Sequence, residues 1–600
     1  MTQNSNIHLH SFLLIFNKRK KFSKDRVTFS RKESSFNVFG PGNPIEISGK
    51  IRGMIADNVV RAKIKAQQHM LFYTGDSAEV ENKVQEHTCL DCCASSAQIY
   101  INFLLQEVTI YSSIVGLPPI FYCDLADKLI VTSDIYLLGE ISNFSLYFDI
   151  DSVMEITSIG YPIDNKTLFQ NVKMLPAGHI LSVGKDSGIK LSRQWALPRY
   201  KVLPKWSDFL ELQSSAFEKA LQRIDLTDSF LSLTAGMDTR AIFAALTSNN
   251  IKIPVFTMTG STLSLDARTA RKLCKAYHFD HNIIFLNNDF YAQLPSFCSE
   301  ACRLSGGLAS LAQAHEVFFY SQVDKSIKAR LSGNLGNQVG RGGAENISLR
   351  NAGFMAFNKA ICNKNNNFDL AHWYAPYLKS GGHLSYDFLM EQEIPFSSVG
   401  NYTVGNYYAT QQSPYADKQL IEISNTRPAT PKCEREKSIL RMRMKDLRHR
   451  FLSESAGISF QMKLIKETGG KVAEIPINWG GKATGGVSIW GVVLGIKALA
   501  DAVLASKSID SGPMYKAASL LRITGFHEYR SYNKWLKGPM KDFTLDLFSS
   551  KSTKECGLFE ISKLEKNAKL YFSNKLDIYK NMSLSLDLAL ASKIFNARLR

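Results

Sequence analysis

What this 600-residue chain lacks narrows its reading first. No Gly-Lys-Ser/Thr pair follows a glycine loop, and no G-x-G-x-x-G occurs where a dinucleotide would sit, so neither of the two commonest phosphate fingerprints is available. No apolar run approaches the ~20 residues a helix needs to cross a bilayer. The longest, "VSIWGVVLGI" at 487–496, is interrupted by Lys497 and Asp501 and reads as a buried helix. "FLLIF" at 12–16 is too short for the apolar region of a signal peptide and is followed, not preceded, by a basic cluster. No signal peptide is therefore expected, and a cytoplasmic location is. Cysteine is thin: ten in the whole chain, scattered, which argues for reduced thiols. His87, Cys89, Cys92 and Cys93 cluster, but no second Cys/His pair lies at finger spacing, so structural thiols are expected there rather than zinc. No internal repeat is found.

Acidic residues are also outnumbered, 54 against 72 Lys and Arg, leaving a net charge of +18. Such a balance suits an acidic partner: a nucleotide, an anionic peptide, nucleic acid or a membrane surface. The basic residues are spread along the chain, with "NKRKKFSKDR" (17–26) and "REKSILRMRMKDLRHR" (435–450) the densest runs, so nucleic acid is not the expected partner. With 45% hydrophobic and 21% charged residues the chain is ordinarily globular and long enough for two to four domains.

Up to about residue 198 short β-like runs alternate with turn residues: "SFLLIF", "YINFLL", "EVTIYSS", "PIFYCDL", "KLIVTSD" and "HILSVG". From about 205 the texture changes. "WSDFLELQSSAFEKALQRI" predicts an amphipathic helix, "IPVFTMTG" and "HNIIFL" predict strands, and "DARTARKLCKAYHF" predicts a helix between them. Strands alternating with helices imply a doubly wound parallel sheet with ligands at the carboxyl ends of its strands. Beyond 290 helical patterns dominate.

"FLSLTAGMDTRAIFAAL" (230–246) runs a strand through Thr234, Ala235 and Gly236 into a helix carrying Ile242, Phe243 and Leu246 on one face. A strand, a small-residue turn and a helix N-terminus make an anion site. Asp238 in that turn would repel a bare phosphate but would hold a magnesium ion bridging phosphates. A plain βα turn is the other reading of the same residues.

Thr234-Ala235-Gly236-Met237-Asp238-Thr239 resembles the pyrophosphate loop S-G-G-x-D-S of ATP pyrophosphatases. The rest of the chain resembles the asparagine synthetase superfamily. "FDIDSVMEITSIGYPIDNKTLFQNVKMLPAGHILSV" is similar to that family's domain junction, and "RLSGNLGNQVGRGG" stands where the family has a second loop of the type S-G-x-G-G-D-E. "QQSPYADKQLIEI" stands at its P-F-L-D phrase, and "WGGKATGGVSIW" at its catalytic lysine and G-V turn. The resemblance implies an N-terminal glutaminase-like (Ntn-type) αββα sandwich over 1–198. After it, over 205–600, comes an α/β ATP pyrophosphatase domain (adenine nucleotide α-hydrolase-like) with a helical C-terminal region. It also implies ATP and Mg2+ as cofactors, with Leu233, Thr234, Ala235, Gly236, Thr239 and Arg240 around the pyrophosphate. Val255, Thr257 and Met258 would lie at the adenine side, and Gly333, Gly336 and Arg341 in the second loop. Asp238 and Asn337 would meet the metal, and Lys482 would stabilise charge at the activated carbonyl. Arg240 has a competing reading as the start of a solvated helix face, Lys482 one as a surface lysine, and Asp417 is expected to cap or bridge.

Departures from the pattern shape the functional expectation. The family's glutaminase uses an N-terminal cysteine; here Thr2 follows Met1 and the first cysteine is Cys89, so glutamine hydrolysis is not expected. Asn337-Gln338 replaces Asp-Glu, which weakens metal affinity. Thr410, Gln411 and Gln412 stand where a glutamate and an arginine are common. Members that have lost the cysteine include β-lactam synthetases and lasso-peptide cyclases. The expectation is accordingly an AMP-forming carbon–nitrogen ligase that joins a carboxylate to an amine from a source other than glutamine. The substrates would be small molecules or a peptide, in the latter case with a peptide-processing partner. An ammonia-dependent asparagine synthetase and a non-catalytic nucleotide- or peptide-binding scaffold are the alternatives.

Overall fold

The computed structural model describes residues 107–340, 386–428, 460–476, 482 and 529–600, apart from 127, 142–143, 185–187, 200–201, 204 and 577, and six strand segments before 107. Arg341, the 435–450 and 487–496 runs and the His87–Cys93 cluster lie outside the described residues.

The first strands are β1 (Leu13–Asn17), β2 (Val27–Ser30), β3 (Ser35–Val38), β4 (Ser48–Lys50), β5 (His69–Gly75) and β6 (Ser96–Asn102). They continue as β7 (Glu107–Tyr111), β8 (Phe121–Asp124), β9 (Lys128–Thr132), β10 (Lys173–Met174), β11 (His179–Gly184) and β12 (Gly188–Arg193). β1-β9-β8-β10 form one antiparallel sheet and β12-β11-β7-β6-β5 another. A small three-stranded sheet, β3-β2-β4, stands beside them in the topology. The β-rich texture read from the sequence is thus built mainly as antiparallel ladders, with β2 and β4 paired in parallel. Helix α1 (Ile150–Ile159) starts where the Asp149 carboxylate accepts from the Ser152 amide at 2.9 Å, an N-cap that satisfies one of the helix's orphan donors.

The remaining strands are β13 (Ser229–Ser232), β14 (Val255–Thr259), β15 (His281–Phe285), β16 (Ala329–Leu331) and β17 (Thr410–Gln412). They form an all-parallel sheet in the order β15-β14-β13-β16-β17. β14 is buried at every position, as a strand covered on both faces must be, and this explains why "VFTM" shows no alternation of apolar and charged residues. Helices α2 (Trp206–Arg223), α3 (Met237–Ser248), α4 (Leu265–Tyr277), α5 (Leu294–Leu304) and α6 (Ala314–Gln322) connect or precede these strands. Further on come α7 (Phe460–Thr468), α8 (Gly470–Glu474) and α9 (Tyr579–Phe595).

The strand order reverses at β13. The chain leaves β13 toward β14 and β15 on one side and returns to β16 and β17 on the other. The carboxyl ends of β13 and β16 are therefore the topological switch point, which is where an open α/β sheet takes its ligand. One buried core runs across the change of texture near 200. Phe148 stacks on Phe169 (5.8 Å), Phe169 meets Phe595 of α9 (5.0 Å), and the Phe148 amide donates to the Arg598 carbonyl at 3.0 Å.

Candidate functional site

The strand–turn–helix read from "FLSLTAGMDTR" is present: β13 ends at Ser232, Gly236 precedes the first turn, and α3 begins at Met237. Apolar burial sets it. Leu231, Leu233, Ala235, Ile242, Phe243 and Leu246 are fully buried, so strand and helix are clamped on one core and the turn between them has a single course. Thr234 and Thr239 close the turn. The Thr239 hydroxyl accepts from the Thr234 amide (3.1 Å) and shares a hydrogen bond with the Thr234 hydroxyl (3.0 Å); the latter accepts from the Gly236 amide (3.1 Å). The Ala235 amide donates to the buried Asp266 carboxylate of α4 at 2.7 Å. Three amides expected to face a phosphate are thus engaged within the protein.

The second glycine loop follows β16 and meets the first. A Cβ on Gly333 would lie 2.9 Å from the Asp238 Cβ and 3.0 Å from the Thr239 amide nitrogen; one on Gly336 would lie 2.7 Å from the Asp238 Cβ and Cγ. Only glycine allows that approach. Just before Gly336, Leu335 adopts φ 66°, a left-handed conformation that costs a branched side chain free energy and that interiors keep mainly at working loops. Asn337 is half-buried in the turn Gly336–Gly340. The third motif converges as well. The Tyr415 hydroxyl of "SPYAD" donates to the Asp238 carbonyl (2.9 Å), and the Ser413 hydroxyl donates to the Asn334 carbonyl (2.6 Å). Asp417 caps the next helix at the Leu420 amide and pairs with Arg223.

One contributor carried no motif. Gln461 on α7 is fully buried, and its Nε2 donates to Asp238 Oδ1 (3.0 Å) and to the Gly336 carbonyl (3.1 Å). A lone glutamine after a basic stretch has no spacing signature, and only the fold brings it 223 residues back to Asp238.

Arg240 is fully buried and extends into neither solvent nor an open turn. Its guanidinium donates to the carbonyls of Ile475, Pro476 (3.0 Å) and Ala235 (3.4 Å), fastening the loop to the end of α8. Burial alone holds it below the usual arginine range, at about 9, so it is charged at neutral pH. Thr257 gives its hydroxyl to the Leu233 carbonyl (2.9 Å) and meets His281 Nε2 (3.0 Å). Burial, helped by Arg271, lowers His281 to about 4, so that imidazole stays neutral. Val255 begins β14, at the end away from the switch point, whereas Met258 is near its carboxyl end. Gln411 and Gln412 are buried: Gln411 donates to the Tyr320 hydroxyl and the Ala409 carbonyl (both 2.8 Å), Gln412 to the Asp225 carbonyl (3.0 Å). Lys482 is exposed, its charge felt by Glu474.

The arrangement can hold an ion that arrives with phosphates. Asp238 supplies one carboxylate, with Gly333 and Gly336 packed close against it. Among the described residues no group of three or more His, Cys, Asp or Glu is placed to hold a metal by itself. One carboxylate plus phosphate oxygens is a usual set for magnesium, so the residues fit a phosphate-borne ion. Among the described residues no helix is long and apolar enough to cross a membrane.

No family model matches the chain, and no curated protein matches it. Among solved structures it is similar to an allosteric regulatory enzyme of purine biosynthesis, at 10% identity and a TM-score of 0.19, covering 47% of this chain and 75% of that one. It is also similar to the glutamine phosphoribosylpyrophosphate amidotransferase from B. subtilis, complexed with ADP and GMP, at 8% identity and a TM-score of 0.17, covering 46% and 60%. Likenesses this low carry no argument about function.

Proposed function

We propose that the chain is an ATP- and magnesium-dependent ligase that activates a carboxylate as its adenylate and joins it to an amine. On this reading 205–600 is a domain of the ATP pyrophosphatase type and 1–198 a glutaminase-like sandwich without glutaminase chemistry. The carboxylate oxygen attacks the α-phosphorus of ATP and pyrophosphate leaves; the amine then attacks the acyl carbon and AMP leaves. What supports this is the convergence of both glycine loops and the "SPYAD" turn on Asp238, at the strand ends where the strand order reverses. Magnesium, when bound, neutralises phosphate charge there. The protein's own part is to hold Asp238 in place, with Gly333 and Gly336 letting the second loop close against it.

A second reading, a nucleotide- or peptide-binding scaffold without turnover, is favoured by the engaged amides of Thr234, Ala235 and Gly236 and by the exposure of Lys482. Calorimetry of ATP binding with and without magnesium, on the wild type and on Asp238→Ala, tests the first step. Magnesium-dependent binding lost in Asp238→Ala is expected. No binding in either condition would sink the nucleotide site, and binding without pyrophosphate release for any carboxylate and amine pair would favour the scaffold.

A further inference from the structure

The Gln461 side chain is enclosed by both loops. Its Nε2 has two acceptors, Asp238 Oδ1 and the Gly336 carbonyl, and a Cβ on Gly340 would lie 2.5 Å from that same nitrogen. Two acceptors fix which end of the amide is nitrogen. Oε1 is then left buried without a hydrogen-bond partner. An orphaned acceptor costs free energy that a methionine of similar volume would avoid, so the amide needs a reason to be there. Packing does not supply it, because Phe460, Leu464 and Ile465 already bury the apolar face of α7.

We propose that Gln461 is a positioning residue that sets Asp238 for magnesium. This rests on the reading that Asp238 meets a phosphate-borne ion. A carboxylate in the first turn of a helix can adopt more than one rotamer, and a fixed donor to one oxygen narrows that choice before the ion arrives. The chemistry of the donor matters. A lysine or arginine would neutralise the charge the ion needs, and a second carboxylate would repel that of Asp238, whereas a neutral amide orients the carboxylate and leaves its charge intact. The second N–H holds the Gly336 carbonyl, which keeps the turn bearing Asn337 against Asp238.

The test measures, on the full chain, the magnesium concentration that half-saturates ATP binding, together with the unfolding temperature of the ligand-free protein. In Gln461→Met the unfolding temperature is expected near that of the wild type and ATP still binds at saturating magnesium, but the half-saturating magnesium rises about tenfold. In Gln461→Glu the magnesium requirement becomes dependent on pH, because two carboxylates then share one site. A Gln461→Met protein with the wild-type magnesium requirement, or one that loses affinity equally at every magnesium concentration, would overturn the proposal while leaving the ATP site standing. A wild type with no magnesium-dependent binding defeats the underlying reading and this one with it. If Gln461→Met does not fold, the isosteric Gln461→Glu decides: no pH dependence in its magnesium requirement rejects the role.

Discussion

Arg330 on β16 and Arg240 at the start of α3 are both buried guanidiniums, yet the two regions treat them differently. Arg330 pairs with the Glu316 carboxylate, donates to the Ser232 hydroxyl (2.7 Å) and the Tyr320 hydroxyl (3.3 Å), and lies 5.0 Å over the Phe319 ring. Burial lowers its affinity for a proton, but Glu316 and Tyr320 more than restore it. Burial likewise pushes Glu316 up, and Arg330 with His315 brings it below the ordinary carboxylate range. Arg240, by contrast, has main-chain carbonyls as partners, no carboxylate among the described residues, and a buried Nε without a hydrogen bond. Gln461 adds an orphaned acceptor and Leu335 a left-handed backbone in the same neighbourhood. One region closes its guanidinium on a carboxylate; the other, around Asp238, leaves its guanidinium to main-chain carbonyls.

The largest expected effect breaks the closed region. Arg330→Met strands the Glu316 charge in the interior and should cost about 3–5 kcal/mol in urea unfolding, with much of it regained when Glu316→Leu is added. The same change at Arg240 strands no carboxylate, so it should cost distinctly less, about 1–3 kcal/mol for the carbonyls that lose their donor. Equal losses at the two positions would erase the contrast between the regions.

A third buried charge sharpens it. Asp587 on α9 accepts from the Ser310 hydroxyl, no cation among the described residues offsets its charge, and burial pushes its carboxyl up to about 7. Between its unfolded value of about 4 and that of about 7 the folded chain keeps a proton the unfolded chain releases. Stability contributed by this group therefore falls as pH rises through that window, by up to about 1.4 kcal/mol per pH unit. Glu155, also raised to about 7 by burial despite Lys166, acts in the same direction, and His281, lowered to about 4, acts in the opposite one. The check is the difference between wild type and Asp587→Asn: the variant's urea midpoint should fall less steeply from pH 4 to 7. Parallel profiles would mean that Asp587 is solvated like an ordinary surface acid.

How much of this was legible in the sequence follows from where the signal lies. The parallel sheet was readable because β13, β14 and β15 carry apolar runs at strand length with an amphipathic helix between them, and the Asp238 turn because small residues at a strand end are local information. Gly333 and Gly336 could be nominated only through the family resemblance, and their contact with Asp238 is a property of strand order, which local periodicity does not encode. Gln461 was invisible for the same reason. Arg240 could be read either as a phosphate contact or as a helix-surface residue, and it is neither exposed nor directed at an open turn. Its partners, Ile475 and Pro476, are backbone groups, which no side-chain pattern announces.

The smallest expected effect separates the turn's geometry from its chemistry. Thr239 holds the Thr234 amide and hydroxyl from inside the loop. Thr239→Ala removes one acceptor from a half-buried amide and should cost about 1 kcal/mol, whereas Thr239→Ser keeps the oxygen and should cost little. If the loop is only a βα connection, both variants leave ATP binding as it was, and the urea midpoint alone moves. If the loop cradles phosphate, Thr239→Ala weakens ATP binding by more than its stability loss accounts for, because the amide freed from Thr239 is no longer held in the turn. Equal behaviour of the serine and alanine variants in both measurements would show that the hydroxyl closes nothing, and the threonine would then be packing alone.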